Sequence, residues 1–398
     1  MSRAASDRAP EGPYSTGYVW YAMAIVFLVS VFNVVDRTIV SVLVPGIQAD
    51  LGLGDDDMGF LMGPAFAIVH FLAVLPAAWL ADRTSRRAVI AGALAVWSGM
   101  TALGGAAQGF WSFCITRMGV GIGEAGGAPP AVSLLSDTAP PSMRARALSA
   151  LTIGSLMGIG VGLIAGASLA GPLGWRATLV AVGVPGLAIA LLVRFTLREP
   201  PRRSVESVTP LAAARHLVAL PSFRWMVAAA VLAGMGMNGR NLWEPELMRR
   251  SFGFEGLGIG LSVFGYGAAP AAVGAFIGGT LADRLRARDE RWPLWVCALG
   301  NLASAPLLIA YLTLPIPEGG HASAVAAPFV LWIFGSTLIG FFSPPMGAVA
   351  QNLARPNMRA LAHAIWTMIF TGIGQGAGPW AVGLLAEAWR PEYGVVSL

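Results

Sequence analysis

Five charged residues fall deep inside long apolar runs of the sequence: Asp36, Arg37, Arg117, Glu124 and Arg240. A charge at the centre of a membrane-crossing helix costs about 2.5 to 3.5 kcal/mol, so the five together would cost on the order of 12 to 17 kcal/mol if unpaired. They must pair or face water. Arg117 and Glu124 are two helical turns apart, which places them on one face about 10 Å from each other. They touch only if both side chains bend together. Asp36 and Arg117 come to similar depth when their helices run in opposite directions. The chemistry on offer is proton carriage beside anion binding, because arginine stabilises a neighbouring carboxylate while exclusion of water stabilises the acid. Glu124 is the leading proton carrier and Asp36 follows it, with Arg37 and Arg117 binding an anionic phosphate head or resetting the carboxylates. The competing reading is a fixed ion pair that locks two helices.

A second polar group, Asn238, Arg240, Asn241, Trp243 and Glu244, lies in one later run. It either lines a cavity, with Trp243 in its wall, or forms a wet helix end beside Arg249 and Arg250. Phe341, Phe342, Trp366 and Gln375 are further cavity candidates, and His70 is read as a hydrogen-bonded packing residue. Gly119 to Gly123 and Gly158 to Gly162 imitate nucleotide loops but lack a preceding strand, so they are read as sites of close helix packing. Cys114 and Cys297 have no metal-ligand spacing. Without a Walker motif, metal cluster or catalytic triad, the chain is read as a non-enzyme with no cofactor.

The elements that hold these residues follow from composition. The 398 residues are 56% hydrophobic and 12% charged, with a mean hydropathy of +0.66, which excludes an ordinary soluble domain. The net charge of +5 does not indicate a nucleic-acid partner, because the basic residues sit between apolar runs. All 26 of them are arginine. Runs of about 20 apolar residues predict eleven spans, at 18–46, 58–81, 88–106, 110–136, 143–170, 174–197, 223–248, 257–282, 292–314, 325–352 and 358–386. Residues 1–17 form a polar tail and 198–222 a linker, leaving bundles at 18–197 and 223–398. With the N-terminus in the cytoplasm, nineteen arginines fall inside, four outside (Arg176, Arg249, Arg250 and Arg390) and three within spans, as the positive-inside rule requires. The first outer segment is acidic, with Asp50, Asp55, Asp56 and Asp57.

The chain also repeats itself. Pro129-Pro130 through Met143-Arg144-Ala145 matches Pro344-Pro345 through Met358-Arg359-Ala360 at a shift of 215, and Leu80-Ala81-Asp82-Arg83 matches Leu281-Ala282-Asp283-Arg284 at a shift of 201. Each pair occupies the same place in its half. Duplicated bundles of this kind rock around a central site in secondary transporters.

On these residues the chain resembles the major facilitator superfamily. Asp82-Arg83-Thr84-Ser85-Arg86-Arg87 is similar to the family's inner-loop signature, although Ala78 stands where glycine is usual, and Gly279 to Arg288 is similar to its second copy. Arg117, Gly121, Gly123 and Pro129 resemble the fourth-helix motif. The resemblance implies an all-α fold of two pseudo-symmetric six-helix bundles, the twelfth helix being absent from this chain. It also implies gating roles for Asp82, Arg83, Arg86, Arg87, Asp283 and Arg284. Arg83, Arg86 and Arg87 bind anionic lipid or act as topological anchors. Asn33-Val34-Val35-Asp36-Arg37, Gly121-Ile122-Gly123-Glu124-Ala125, Ser133 to Asp137 and Gly183-Val184-Pro185-Gly186 resemble the Spinster branch, whose members move lysolipids and sphingoid lipids such as sphingosine 1-phosphate. That likeness implies proton-coupled transport of such a lipid by a monomer in a bacterial inner membrane. Asn33, Arg37, Arg117, Arg240, Asn241, Trp243, Phe341 and Trp366 would contact the substrate. A transporter of a small organic anion or drug, and a non-transporting sensor or remnant, are the alternatives.

Overall fold

The computed structural model describes residues 14–201, 210–314, 322–355 and 359–393, and within these every regular element is helical. The helices are α1 (Thr16–Leu51), α2 (Asp55–Met62), α3 (Pro64–Arg83), α4 (Arg86–Gly104), α5 (Phe110–Ala125), α6 (Ala128–Thr138), α7 (Arg144–Thr196), α8 (Pro210–Ala219), α9 (Pro221–Phe252), α10 (Leu257–Ser262), α11 (Ala269–Arg286), α12 (Trp292–Thr313), α13 (Ala322–Ile339), α14 (Ser343–Asn352) and α15 (Arg359–Tyr393). A π-helical turn, Val263–Ala268, joins α10 to α11.

Glycine and proline explain where predicted spans break. The span predicted at 110–136 divides at Gly126-Gly127, and α6 restarts with prolines in its first turn, where a missing N–H costs nothing. The repeat does the same at 325–352, where α14 restarts on Pro344-Pro345. The spans predicted at 143–170 and 174–197 both fall within α7, as two helices that meet at a kink where Gly174 has φ 70°. A side chain there would be strained. Seven of the described helical stretches are long and apolar enough to cross a membrane, and one of them, Pro141–Thr196, holds two predicted spans. The α9 helix carries Arg224, Arg240, Glu244, Glu246, Arg249 and Arg250 within its 32 residues.

The chain forms two compact units, Met1–Val40 with Ile68–Gly162 and Pro172–Val205, and Ser41–Ala67 with Leu163–Gly171 and Glu206–Leu398. In the first, α4 packs closely on α5. In the second, α15 lies along both α9 and α2, and glycine sets the spacing. A Cβ on Gly374 would stand 2.7 Å from the backbone of Gly234, and one on Gly378 would stand 2.3 Å from the Met235 carbonyl. The core of this unit gathers Phe223, Met226, Cys297, Phe342, Met346 and Trp366.

Candidate functional site

In the first unit, Asn33, Asp36 and Arg37 on α1 meet Arg117 and Glu124 on α5. The approach of α5 to α4 that fixes Glu124 depends on Gly123, whose Cβ would stand 2.6 Å from the Trp97 nitrogen. Arg37 donates to Glu124 and forms its ion pair, and it also donates to Asn33 Oδ1 at 3.4 Å. The Glu124 side chain is fully buried, whereas that of Arg37 keeps 21% of its exposure. Asp36 is entirely buried. Thr101 on α4 lies beside it, yet neither Asp36 oxygen has a hydrogen bond of good geometry among the described residues. Arg117 is also buried, its Nε has no acceptor, and it feels Glu124 and Asp36 as neighbouring charges without an ion-pair contact. The two-turn spacing therefore keeps Arg117 and Glu124 apart, and Arg37 takes Glu124 instead. His70 on α3 bonds the Gly121 carbonyl at 3.2 Å.

The turn between α3 and α4 carries a second charged assembly. Arg86, 4% exposed, donates to Ser133 Oγ (2.9 Å), Asp137 Oδ2, Glu199 Oε1 (2.8 Å) and the Pro200 carbonyl (2.8 Å). Arg87 donates to the Leu197 carbonyl, and its backbone N–H, with the Ser85 hydroxyl, donates to Glu199 Oε2. Arg86 and Arg87 thus tie the α3–α4 turn to the end of α6 and the segment after α7. Arg83 stacks on Trp79 at 4.2 Å, and the Asp82 side chain lies outside the described residues. In the second copy, the shifts place Ala287 where Arg86 stands, Ala348 where Ser133 stands and Asn352 where Asp137 stands. Asp283 there borders a cavity of about 150 Å³ with Arg286, Pro344 and Asn352. The signature is repeated in sequence, but the latch is not.

Burial raises the Glu199 carboxyl, and the hydrogen bonds from Arg86, Arg87 and Ser85 more than offset it, holding the group below its ordinary value. A carboxyl lowered on folding stabilises the fold fully above its unfolded value of about 4.3, and the gain is lost as pH falls through the lower folded value. Arg86→Ala, which removes the buried cation from Asp137 and Glu199, is expected to cost about 3 kcal/mol. Thermal unfolding should show that penalty at pH 7 and a smaller one under acid, below the folded Glu199 value. An equal penalty at both pH values would exclude the latch.

A third assembly, which sequence reasoning missed, lies inside the second unit. Asp55, at the start of α2 and fully buried, accepts from Arg250 Nη1 (2.9 Å) and Nη2 (2.7 Å), Arg390 Nη2 (2.7 Å) and Gln48 Nε2 (2.8 Å). Glu246, equally buried, pairs with Arg249 and Arg250. Arg249, Arg250 and Arg390 are three of the four arginines on the outer side of the predicted topology. The fourth, Arg176, donates to the Ala107 carbonyl at 2.8 Å and stacks on Trp175. The signal available was the acidic segment 50–57 with no arginine of its own.

The remaining candidates of the second unit are mostly packed. Arg240 pairs with Glu244 at 3.5 Å and donates to Ser336 (3.3 Å) and Asn241 (3.2 Å), and Tyr311 donates to Glu244 at 2.8 Å. Trp243 is 3% exposed and its indole N–H bonds the Pro379 carbonyl at 2.9 Å. It clamps α9 to α15. Trp366 is buried and stacks on Phe370, Phe342 lies in the core, and Phe341 packs against Gly278 and Gly300. Gln375 is buried as well.

Apolar helices with charges gathered inside them and a duplicated signature describe a multi-pass membrane transporter. Residues 26–394 match the Major Facilitator Superfamily, and the chain belongs to that family. It is 32% identical over 393 residues to an MFS-type efflux pump of Mycolicibacterium smegmatis, covering 95% of this chain and 87% of that one. It is 27% identical to human protein spinster homolog 1, covering 93% and 74%. A crystal structure of a bacterial homolog of the human lysosomal transporter Spinster, inward-facing and occupied, superposes with a TM-score of 0.83 at 28% identity, covering 95% and 84%. The chain is thus a transporter rather than an enzyme, and it resembles the Spinster branch.

Proposed function

We propose that this protein is a secondary transporter that moves a lysolipid or sphingoid lipid by alternating access, driven by protons through Glu124 and Asp36. The observation that carries the reading is the inequality of charges on α1 and α5. Glu124 has its arginine, Asp36 lacks a donor, and buried Arg117 lacks an ion-pair partner. An ionised carboxylate without donors is costly to bury, and taking up a proton removes that cost. A free guanidinium beside it suits a phosphate, which arginine binds with two parallel hydrogen bonds. A phosphate reaching Arg117 or Arg37 competes with Glu124 for the same cation, so substrate arrival and proton loading of the carboxylates are linked. The setting is a bacterial inner membrane with the N-terminus cytoplasmic.

A second reading, export of an amphipathic drug-like molecule, is favoured by the likeness to an efflux pump. The same arginines would then meet a different anion. Reconstituted vesicles given labelled lysophospholipid, sphingosine 1-phosphate or a hydrophilic organic anion, with and without a pH gradient, separate the readings. Lipid transport that rises with the gradient is expected. Transport of the hydrophilic anion alone would overturn the lipid assignment, and transport indifferent to the gradient would overturn the coupling.

A further inference from the structure

Within the first unit, α7 packs against α1 through glycines spaced one turn apart. A Cβ at Gly154 would stand 2.7 Å from the Phe27 carbonyl, one at Gly158 would stand 2.5 Å from the Val31 carbonyl, and one at Gly162 would stand 3.2 Å from the Val35 Cα. Both series rise together, so the two helices run in parallel. Continued toward the N-terminal end of α7, this four-residue series passes through Ala150 and reaches Arg146. There the seam opens into a groove of about 520 Å³, lined by Trp20, Phe27, Arg146, Ser149, Ala150 and Ile153 among others.

The lining is graded along the helices. Arg146 and Ser149 stand at the outer end of the groove with Trp20, while Phe27 and Ile153 lie about 10 Å deeper, seven residues further along each helix. Tyr14, Tyr18 and Tyr21 cluster at the same end, as aromatic side chains do at the headgroup level of a bilayer. Trp20 and Ile153 are each about half exposed. Arg144 is engaged by the Ser136 carbonyl at 3.0 Å, but the exposed Arg146 guanidinium has no hydrogen-bond or ion-pair partner among the described residues. A cation at headgroup depth above an apolar slot about 10 Å deep has the polarity profile of a phospholipid headgroup and the upper part of its chain.

We infer that the α1–α7 groove is a binding site for an anionic two-chain phospholipid of the inner leaflet, with its phosphate on Arg146 and an acyl chain along Phe27 and Ile153. This site is separate from the Glu124 cluster and does not depend on which molecule is transported. Native mass spectrometry of the full chain in detergent, titrated with phosphatidylglycerol, tests it. Arg146→Ala should weaken one bound lipid about fivefold or more, the scale of one arginine's attraction to an anionic headgroup. Ala24→Phe, which fills the groove and leaves the arginine in place, should displace the same lipid, and Arg146→Lys should retain it. All three variants should unfold at the wild-type temperature, since both positions are exposed. Unchanged binding by Arg146→Ala would overturn the assignment, as would an equal loss on removing Arg288, an exposed arginine of the second unit. Preference for single-chain lysophosphatidylglycerol over the two-chain lipid would overturn the choice of occupant.

Discussion

Glu124→Gln will lose transport driven by a pH gradient while retaining downhill movement of substrate. Glutamine preserves the size of the side chain and leaves an oxygen to accept from Arg37, so the contact between α1 and α5 survives in weakened form. Arg37 stays charged, so its bond to the glutamine oxygen remains charge-assisted, and what is lost is the attraction of the opposite charge. A loss of about 1.4 kcal/mol changes the balance between states tenfold, within the range a folded transporter tolerates. What glutamine cannot do is take up and release a proton. Uptake with a gradient should therefore fall to the rate measured without one, while exchange at equal pH stays within about tenfold of wild type. Asp36→Asn should act in the same direction, because its buried oxygens have no donors to hold them as an anion. A Glu124→Gln protein that keeps its full response to the gradient would leave Glu124 as a structural pair and remove it from coupling.

The largest loss of stability is expected from Asp55→Ala. Asp55 is the hub of the third assembly, accepting from two arginines and a glutamine on three separate stretches of chain. Removing one member of a buried charged group costs about 3 to 5 kcal/mol, because the remaining charges stay desolvated without their counterion. Arg250, whose side chain is 5% exposed, bears most of this cost. Arg390, at 40%, turns to water. Thermal unfolding in detergent should show the loss, and a double-mutant cycle with Arg250→Ala should give a coupling of the same order. Since α2 lies in the first sequence repeat while α9 and α15 lie in the second, spin-label distances between α2 and α9 should broaden as well. Wild-type stability with unchanged distances would show that the assembly holds nothing.

These two sites differed in how far residue type alone revealed them. Glu124 and Arg37 stood out because each occurs where the surroundings are apolar, and the penalty for an unpaired charge there is large enough to demand a partner on another helix. Asp55 and Arg390 gave no such signal, since each sits at a helix end where charges are ordinary and 335 residues separate them. Hydropathy placed the helices but joined 110–136 and 325–352 across breaks that proline and glycine make locally. Trp243 is ambiguous for the opposite reason. A tryptophan beside polar residues suits a cavity wall and a helix clamp equally well, and only the position of the Pro379 carbonyl decides between them. The second copy of the signature kept Asp283 and Arg284 but not the residues matching Arg86 and Asp137, so likeness in sequence exceeded likeness in structure.

Every ion pair in the three assemblies joins a carboxylate to arginine, and the chain contains no lysine. Guanidinium stays protonated throughout the physiological range. The cations of this protein are therefore fixed points of charge, able to change partner but not to give up a proton. Any proton that crosses with the substrate has to travel on oxygen or imidazole, and the arginines set only where it stops.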